Sequence, residues 1–251
     1  MLGEMNATGD IAKEIAKEID GAVFVHGGNH DKSCWQLLLP LMKIPSIAVD
    51  LPGRGDRPAN GVAITYAMCA EAVLADADAA GFDRFMLIGH SMGGLTISRT
   101  ALEAPERVAH LVYVGALVLP VGMTVADKFG VDIAPGQPDS AMMPVMDEQL
   151  ARTMFAGDMT DEQWAIARTS LVDEPVGLFR DSMTDYAAGI PTTYLAMTDD
   201  VPVPPSSAIE MIKQLGPDVD YRELDAAHNI MLSQPETLAN ILNELAATLR
   251  T

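Results

Sequence analysis

Only two cysteines, Cys34 and Cys69, occur in 251 residues. Neither belongs to a CxxC pair or to a Cys/His cluster at zinc spacing, so neither a disulfide framework nor a structural metal is expected. Both read as small buried residues. Basic side chains are scarce as well: 16 Lys and Arg stand against 35 Asp and Glu, a formal net charge of −19. A field of that sign repels phosphate backbones and anionic headgroups, which excludes nucleic acid and membrane surfaces as natural partners. Long apolar runs are missing too. The stretch from Leu111 to Val121 is too short to cross a bilayer and carries Gly115 and Pro120. The first twenty residues lack the basic n-region and apolar core of a leader, so a cytoplasmic location is expected. There is no internal repeat and no low-complexity tract.

What is present is an ordinary globular composition, 49% hydrophobic and 20% charged, in a chain of single-domain size. From Gly21 onward, short apolar runs alternate with helical patterns, which predicts an α/β fold with a mostly parallel central sheet flanked by helices. Strands are expected at Ala22–Val25, Ser46–Val49, Arg84–Ile88, Val108–Val114, Thr192–Ala196 and Tyr221–Leu224. Helices are expected at Tyr66–Ala80, Leu95–Glu103, Ser206–Leu215 and Pro235–Leu249. The stretch from about 119 to 186 breaks the rhythm. Rich in Pro and Met, it offers helices at Asp147–Phe155 and Asp161–Leu171 without an obvious strand, so residues 21–251 read as one domain with an inserted helical cap. Its methionines (Met142, Met143, Met146, Met154, Met159, Met183) are expected to divide between an adaptable apolar pocket and plain packing. Residues 1–20 form an N-terminal extension with a short amphipathic segment, Ile11–Ile19.

The strongest local signal is Gly89-His90-Ser91-Met92-Gly93-Gly94, which follows an apolar strand and opens a helix. That is the context a nucleophile elbow requires: a sharp turn forces the serine into a left-handed conformation, and the flanking glycines let strand and helix approach. Ten serines and 20 glycines placed at random would give roughly 0.06 such matches. A serine hydroxyl needs a base, and the base needs a carboxylate to orient it. His26 and His30 flank a Gly-rich loop, His90 is the elbow's variable position and His110 begins a strand. His228 alone falls between a late strand and the C-terminal helix, so it is the expected base. The acid should follow the strand that ends Met197-Thr198-Asp199-Asp200, which leaves Asp199 and Asp200 as candidates. Two backbone N–H donors must face the tetrahedral oxyanion. Met92 supplies one, and the loop Val25-His26-Gly27-Gly28-Asn29-His30 should supply the other. The spacing of His26 and His30 across glycines speaks against a metal pair. Gly53-Arg54-Gly55 fails as a dinucleotide fingerprint because the third glycine position is Pro58.

Taken together, the His-Gly loop, Asp50-Leu-Pro-Gly-Arg-Gly, the Ser91 elbow, the late Asp and His228 resemble the α/β-hydrolase superfamily. The likeness is greatest to the branch of plant methylesterases, such as the methyl salicylate esterase, and of the α/β-hydrolase hydroxynitrile lyases. It runs from about Ala22 to Leu249 and includes the cap segment Phe155-Ala-Gly-Asp-Met-Thr-Asp-Glu-Gln-Trp. It implies Asp200 rather than Asp199 as the acid, and Gly28 with Met92 as the oxyanion donors. Bacterial hydrolases of pyrethroid-type esters share the pattern, so the resemblance implies a reaction class and no particular substrate. Lyases of this branch carry a hydroxyl residue where this chain has Gly27, and a Lys where it has Asn229. A further lyase subgroup has Asn at the first of these positions.

The sequence thus predicts a serine hydrolase without metal or cofactor, cleaving a small, mostly apolar carboxylic ester through an acyl-enzyme. Ser91, His228 and Asp200 would be catalytic, with Gly28 and Met92 as the oxyanion hole. A carbon–carbon lyase and a non-catalytic ligand-binding homologue are the alternatives, and homo-oligomerisation is left open.

Overall fold

The computed structural model describes residues 18–250. Residues 11–17 of the amphipathic segment lie outside the described residues, whereas Ile19 is buried against the core. Six strands form the central sheet: β1 (Gly21–Val25), β2 (Ser46–Val49), β3 (Phe85–His90), β4 (Val108–Val114), β7 (Thr192–Met197) and β8 (Val219–Leu224). They lie in the order β2-β1-β3-β4-β7-β8, and every neighbouring pair is parallel. The chain steps one way from β1 to β2 and the other way to β3. The carboxyl ends of β1 and β3 therefore flank a topological switch point, where open α/β sheets hold their ligands.

Alternation along the strands divides two cores between the faces of the sheet. Val23, Val25, Leu87, Tyr113 and Tyr194 join one cluster, which includes residues of α1 (Tyr66–Ala79) and α2 (Gly93–Glu103). Ala22, Phe24, Met86, Ile88 and Leu195 join the other, with Trp35 and the apolar face of α9 (Pro235–Thr248). Local chemistry sets the helix limits. The Thr65 hydroxyl accepts the Met68 N–H at the start of α1, and a proline opens α9. Cys34 and Cys69 are buried and free, as expected.

Residues 119–186 add no strand to the central sheet. They contain α3 (Val125–Phe129), α4 (Glu148–Phe155), α5 (Asp161–Ala167) and α6 (Val176–Arg180). They also hold a two-stranded antiparallel ladder, β5 (Met142–Met143) with β6 (Glu174–Pro175). Two-residue strands carry no periodic signal, which is why the sequence did not announce them. The helix expected to Leu171 instead ends at Ala167 and tightens into a 3-10 turn, Arg168–Ser170. The helix expected over Ser206–Leu215 divides likewise into α7 (Pro205–Met211) and a 3-10 turn ending at Gly216, φ 93°. Among the described residues no helix is long and apolar enough to cross a membrane.

Candidate active site

Ser91 stands between β3 and α2 with φ 52°, a left-handed conformation that is rare for a residue with a Cβ. Its backbone is tied down on both sides: its N–H donates to Val114 O at 3.2 Å, and its carbonyl accepts from Gly94 at 3.0 Å and Leu117 at 2.8 Å. The flanking glycines are sterically required. A Cβ on Gly89 would lie 2.8 Å from Gly93 O, and one on Gly93 would lie 2.6 Å from His26 O.

The structure joins two of the expected residues directly. His228 Nδ1 donates to Asp200 Oδ2 at 2.8 Å, and both side chains are buried. Asp200 Oδ1 accepts the Val203 N–H at 2.7 Å, which fixes the carboxylate plane. Asp199 is exposed, and its N–H donates to Ala226 O. Gly115, φ 49°, gives this pair room: a Cβ there would meet Asp200 Oδ2 at 2.7 Å. Because Ser91 N–H bonds the residue just before Gly115, the elbow and the Asp200–His228 pair meet at the end of β4. His228 Nε2 is buried and makes no hydrogen bond, to Ser91 or to any other described residue. Serine–histidine bonds often tighten only once substrate is bound.

Gly28, Ser91 and Met92 line one cavity of about 320 Å³, together with Asn29 and a wall of Leu117, Val125, Phe129, Val131, Met146, Met154, Phe155, Phe179 and Pro202. No lining side chain is charged. Of the methionines named from the sequence, Met146 and Met154 reach the cavity, while Met159 and Met183 pack in the cores. Neither the Gly28 nor the Met92 N–H donates to another described residue, so both are free to face a ligand.

Three of the five histidines, His26, His30 and His90, gather behind this cavity, and burial keeps their rings neutral. His26 Nδ1 donates to Gly27 O at 2.9 Å while its Nε2 accepts the Leu51 N–H at 3.2 Å. Burial, aided by the Arg54 charge, lowers its pKa to about 3. His30 Nδ1 donates to Gly28 O at 2.7 Å, and its Nε2 accepts from Asn229 Nδ2 at 3.0 Å. Burial lowers its pKa to about 4. His90 packs its ring 4.5 Å from that of His228 and is held well below the ordinary range by burial. His26 and His30 are thus bound to backbone, and among the described residues no cluster could hold a metal ion.

Sequence reasoning passed over Arg54 and Glu174. Arg54 Nη1 lies 3.1 Å from Glu174 Oε1, both side chains being buried, and Glu174 Oε2 accepts the Asn29 N–H at 2.6 Å. Arg54 was legible only as part of a motif, and Glu174 lies in a two-residue strand without a pattern.

A serine elbow on β3, a buried Asp–His pair from the last strands and a cavity at the switch point define a class. Residues 22–241 match the alpha/beta hydrolase family, and the chain belongs to it. It is similar to the pyrethroid hydrolase of Sphingobium wenxiniae, 26% identical over 89% of this chain and 86% of that protein. Among solved structures, a pyrethroid hydrolase from Sphingobium faniae JZ-2 superposes with a TM-score of 0.73 at 25% identity. It covers 90% of this chain and 97% of that one. The methylesterase protein MES16 from Arabidopsis, at 19% identity, shares the fold with a TM-score of 0.73 over 91% of this chain and 99% of its own. The likeness to methylesterases read from the motifs thus agrees with these comparisons.

Proposed function

We propose that this protein hydrolyses small, neutral, mostly apolar carboxylic esters. The observation that carries the reading is Ser91, held at φ 52° on a tight elbow at the floor of an apolar cavity, with the Asp200–His228 pair at the same strand ends. Ser91 Oγ attacks the ester carbonyl while His228 Nε2 takes its proton. The Gly28 and Met92 amides bind the oxyanion, and His228 returns the proton to the departing alcohol. Water then repeats the sequence on the acyl-enzyme. Asp200 holds His228 in the tautomer whose Nε2 can accept. Residues 119–186 act as the cap, supplying most of the apolar wall. An uncharged cavity of about 320 Å³ favours an ester without a charged group in either arm. The likeness to a pyrethroid hydrolase supports an apolar substrate.

The test is a panel of esters varied in acyl and alcohol arms, assayed beside Ser91→Ala. Turnover should favour neutral apolar pairs and vanish in the variant. Mandelonitrile belongs in the panel. The residue after His228 is Asn229, which gives one Nδ2 hydrogen to His30 and whose Oδ1 has no donor. That position carries no cation, so it cannot give departing cyanide the charge stabilisation of a lysine. Cyanide release should stay at the buffer rate; enzyme-dependent release without ester turnover would make the protein a lyase.

The pH response should also be simple. Only neutral His228 can accept the serine proton, so kcat/KM should rise with pH through a single group. His26 and His30 stay neutral from pH 5 to 8, since burial sets them near about 3 and about 4. Below the ordinary 6.5 the unfolded chain binds protons at these two residues that the folded chain does not. Their stabilising contribution is therefore complete above that pH and is lost as pH falls to about 4 for His30 and about 3 for His26. The urea midpoint should drop over that window. A flat kcat/KM profile, with chemistry rate-limiting, would contradict the assignment of His228.

A further inference from the structure

The mechanism above leaves unused the buried ion pair of Arg54 and Glu174, whose side chains are 2% and 0% exposed. A buried pair is a weak device for stability, because desolvation offsets most of the attraction. This one is a charge contact without hydrogen-bond geometry, since Arg54 Nη1 and Glu174 Oε1 both lack a hydrogen-bond partner. What it does have is position. Glu174 belongs to β6 in the cap, and the adjoining Pro175 packs on Gly53, where a Cβ would lie 2.6 Å from Pro175 Cγ. Glu174 Oε2 reaches across to accept the Asn29 N–H at 2.6 Å.

That N–H and the Gly28 carbonyl are two ends of one peptide group, and the carbonyl accepts from His30 Nδ1 at 2.7 Å. The Gly28–Asn29 peptide is therefore held at both ends, by a cap carboxylate and by a neutral histidine. Gly28 has no Cβ to restrict it, and Asn29 sits in the left-handed region, φ 55°, so this segment would otherwise have several orientations open to it. With the Asn29 N–H turned onto Glu174, the Gly28 N–H is the donor left facing the cavity.

We propose that Glu174 is a positioning residue for the oxyanion hole: its carboxylate pins the Gly28–Asn29 peptide, and Arg54 cancels a charge that would otherwise oppose the oxyanion. A Cβ on Gly28 would lie 3.8 Å from Glu174 Oε2, close enough for an uncompensated carboxylate to repel negative charge gathering at the Gly28 amide. The proposal rests on the ester-hydrolase reading, with Gly28 as a donor.

Two double variants isolate the effect, Arg54→Met/Glu174→Met and Arg54→Met/Glu174→Gln. Both remove the charges at similar volume, which buried pairs commonly tolerate. They differ in whether an acceptor remains for the Asn29 N–H. In the Met/Met form kcat should fall roughly 10- to 100-fold, as for the partial loss of one oxyanion donor, with KM within about twofold. Affinity for a trifluoromethyl ketone, which places an oxyanion on the Ser91 adduct, should weaken by the same factor. Binding of an apolar ether of the same shape should not change. The Met/Gln form should recover most of both losses. A Met/Met form with wild-type kcat, or one that loses ether binding as much as ketone binding, overturns the proposal, as does failure of both forms to fold. Hydrogen exchange across residues 27–31, faster in Met/Met than in Met/Gln, reads the clamp without turnover. If the wild type cleaved no ester while that difference persisted, the ester reading would fall and the clamp would stand.

Discussion

Ser91→Ala should lower kcat by roughly 10⁶, the scale seen when a triad nucleophile is lost, and should abolish labelling by a fluorophosphonate. The loss should be chemical and not structural. Alanine keeps the Cβ that makes φ 52° unfavourable, so the elbow is neither more nor less strained than before. The bonds that hold the turn, to Val114, Gly94 and Leu117, all use backbone atoms of residue 91. The melting temperature should therefore stay within a few degrees of wild type, since none of the mechanisms behind large destabilisation is engaged. Binding of a non-hydrolysable apolar ether should persist, because the cavity wall is otherwise unchanged. Retention of label at another serine would move the nucleophile and dismantle the site built around it.

Why that serine was legible while its supports were not follows from where each constraint is written. The elbow is a local steric problem. Gly89 and Gly93 are needed because a Cβ at either would strike backbone within 2.8 Å, and that need falls at fixed offsets from Ser91. The inner strands β1, β3 and β4 were legible for a similar reason: buried on both faces, they read as largely apolar runs, as Val108–Val114 does. Glu174 presents the opposite case. Its partners, Arg54 and Asn29, come from the loops after β2 and β1, so nothing near it in sequence hints at its burial. In a two-residue strand a lone acid reads as solvated surface. Arg54 suffered similarly, since its tripeptide invites motif-matching while its role depends on a distant carboxylate. His30 was assigned to a glycine-rich loop, and its Nδ1 does bond locally to Gly28 O, but the partner of its Nε2, Asn229, is one that folding alone brings to it.

The acid expected to orient His228 was narrowed by sequence pattern only to two adjacent residues, and a pair of single variants separates them. Asp200→Asn should lower kcat by about 10⁴, whereas Asp199→Asn should leave it within about twofold. The geometry supplies the reason for so large an effect from so small a change. Asp200 Oδ1 accepts the Val203 N–H at 2.7 Å, while Oδ2 accepts from His228 Nδ1 at 2.8 Å. An asparagine must keep its single oxygen on Val203, because an N–H facing an N–H cannot be accommodated in a buried site. Its NH2 then faces His228 Nδ1, which must become the acceptor, so the ring proton moves to Nε2. With that tautomer His228 cannot take the proton of Ser91, although every heavy atom is in place. Asp199 has no such hold on the ring: it is exposed, and only its backbone N–H is engaged, with Ala226 O. The two variants should melt close to wild type and differ in kcat by more than three orders of magnitude. The reverse ranking would transfer the acid to Asp199 and show that the Asp200–His228 contact is packing alone.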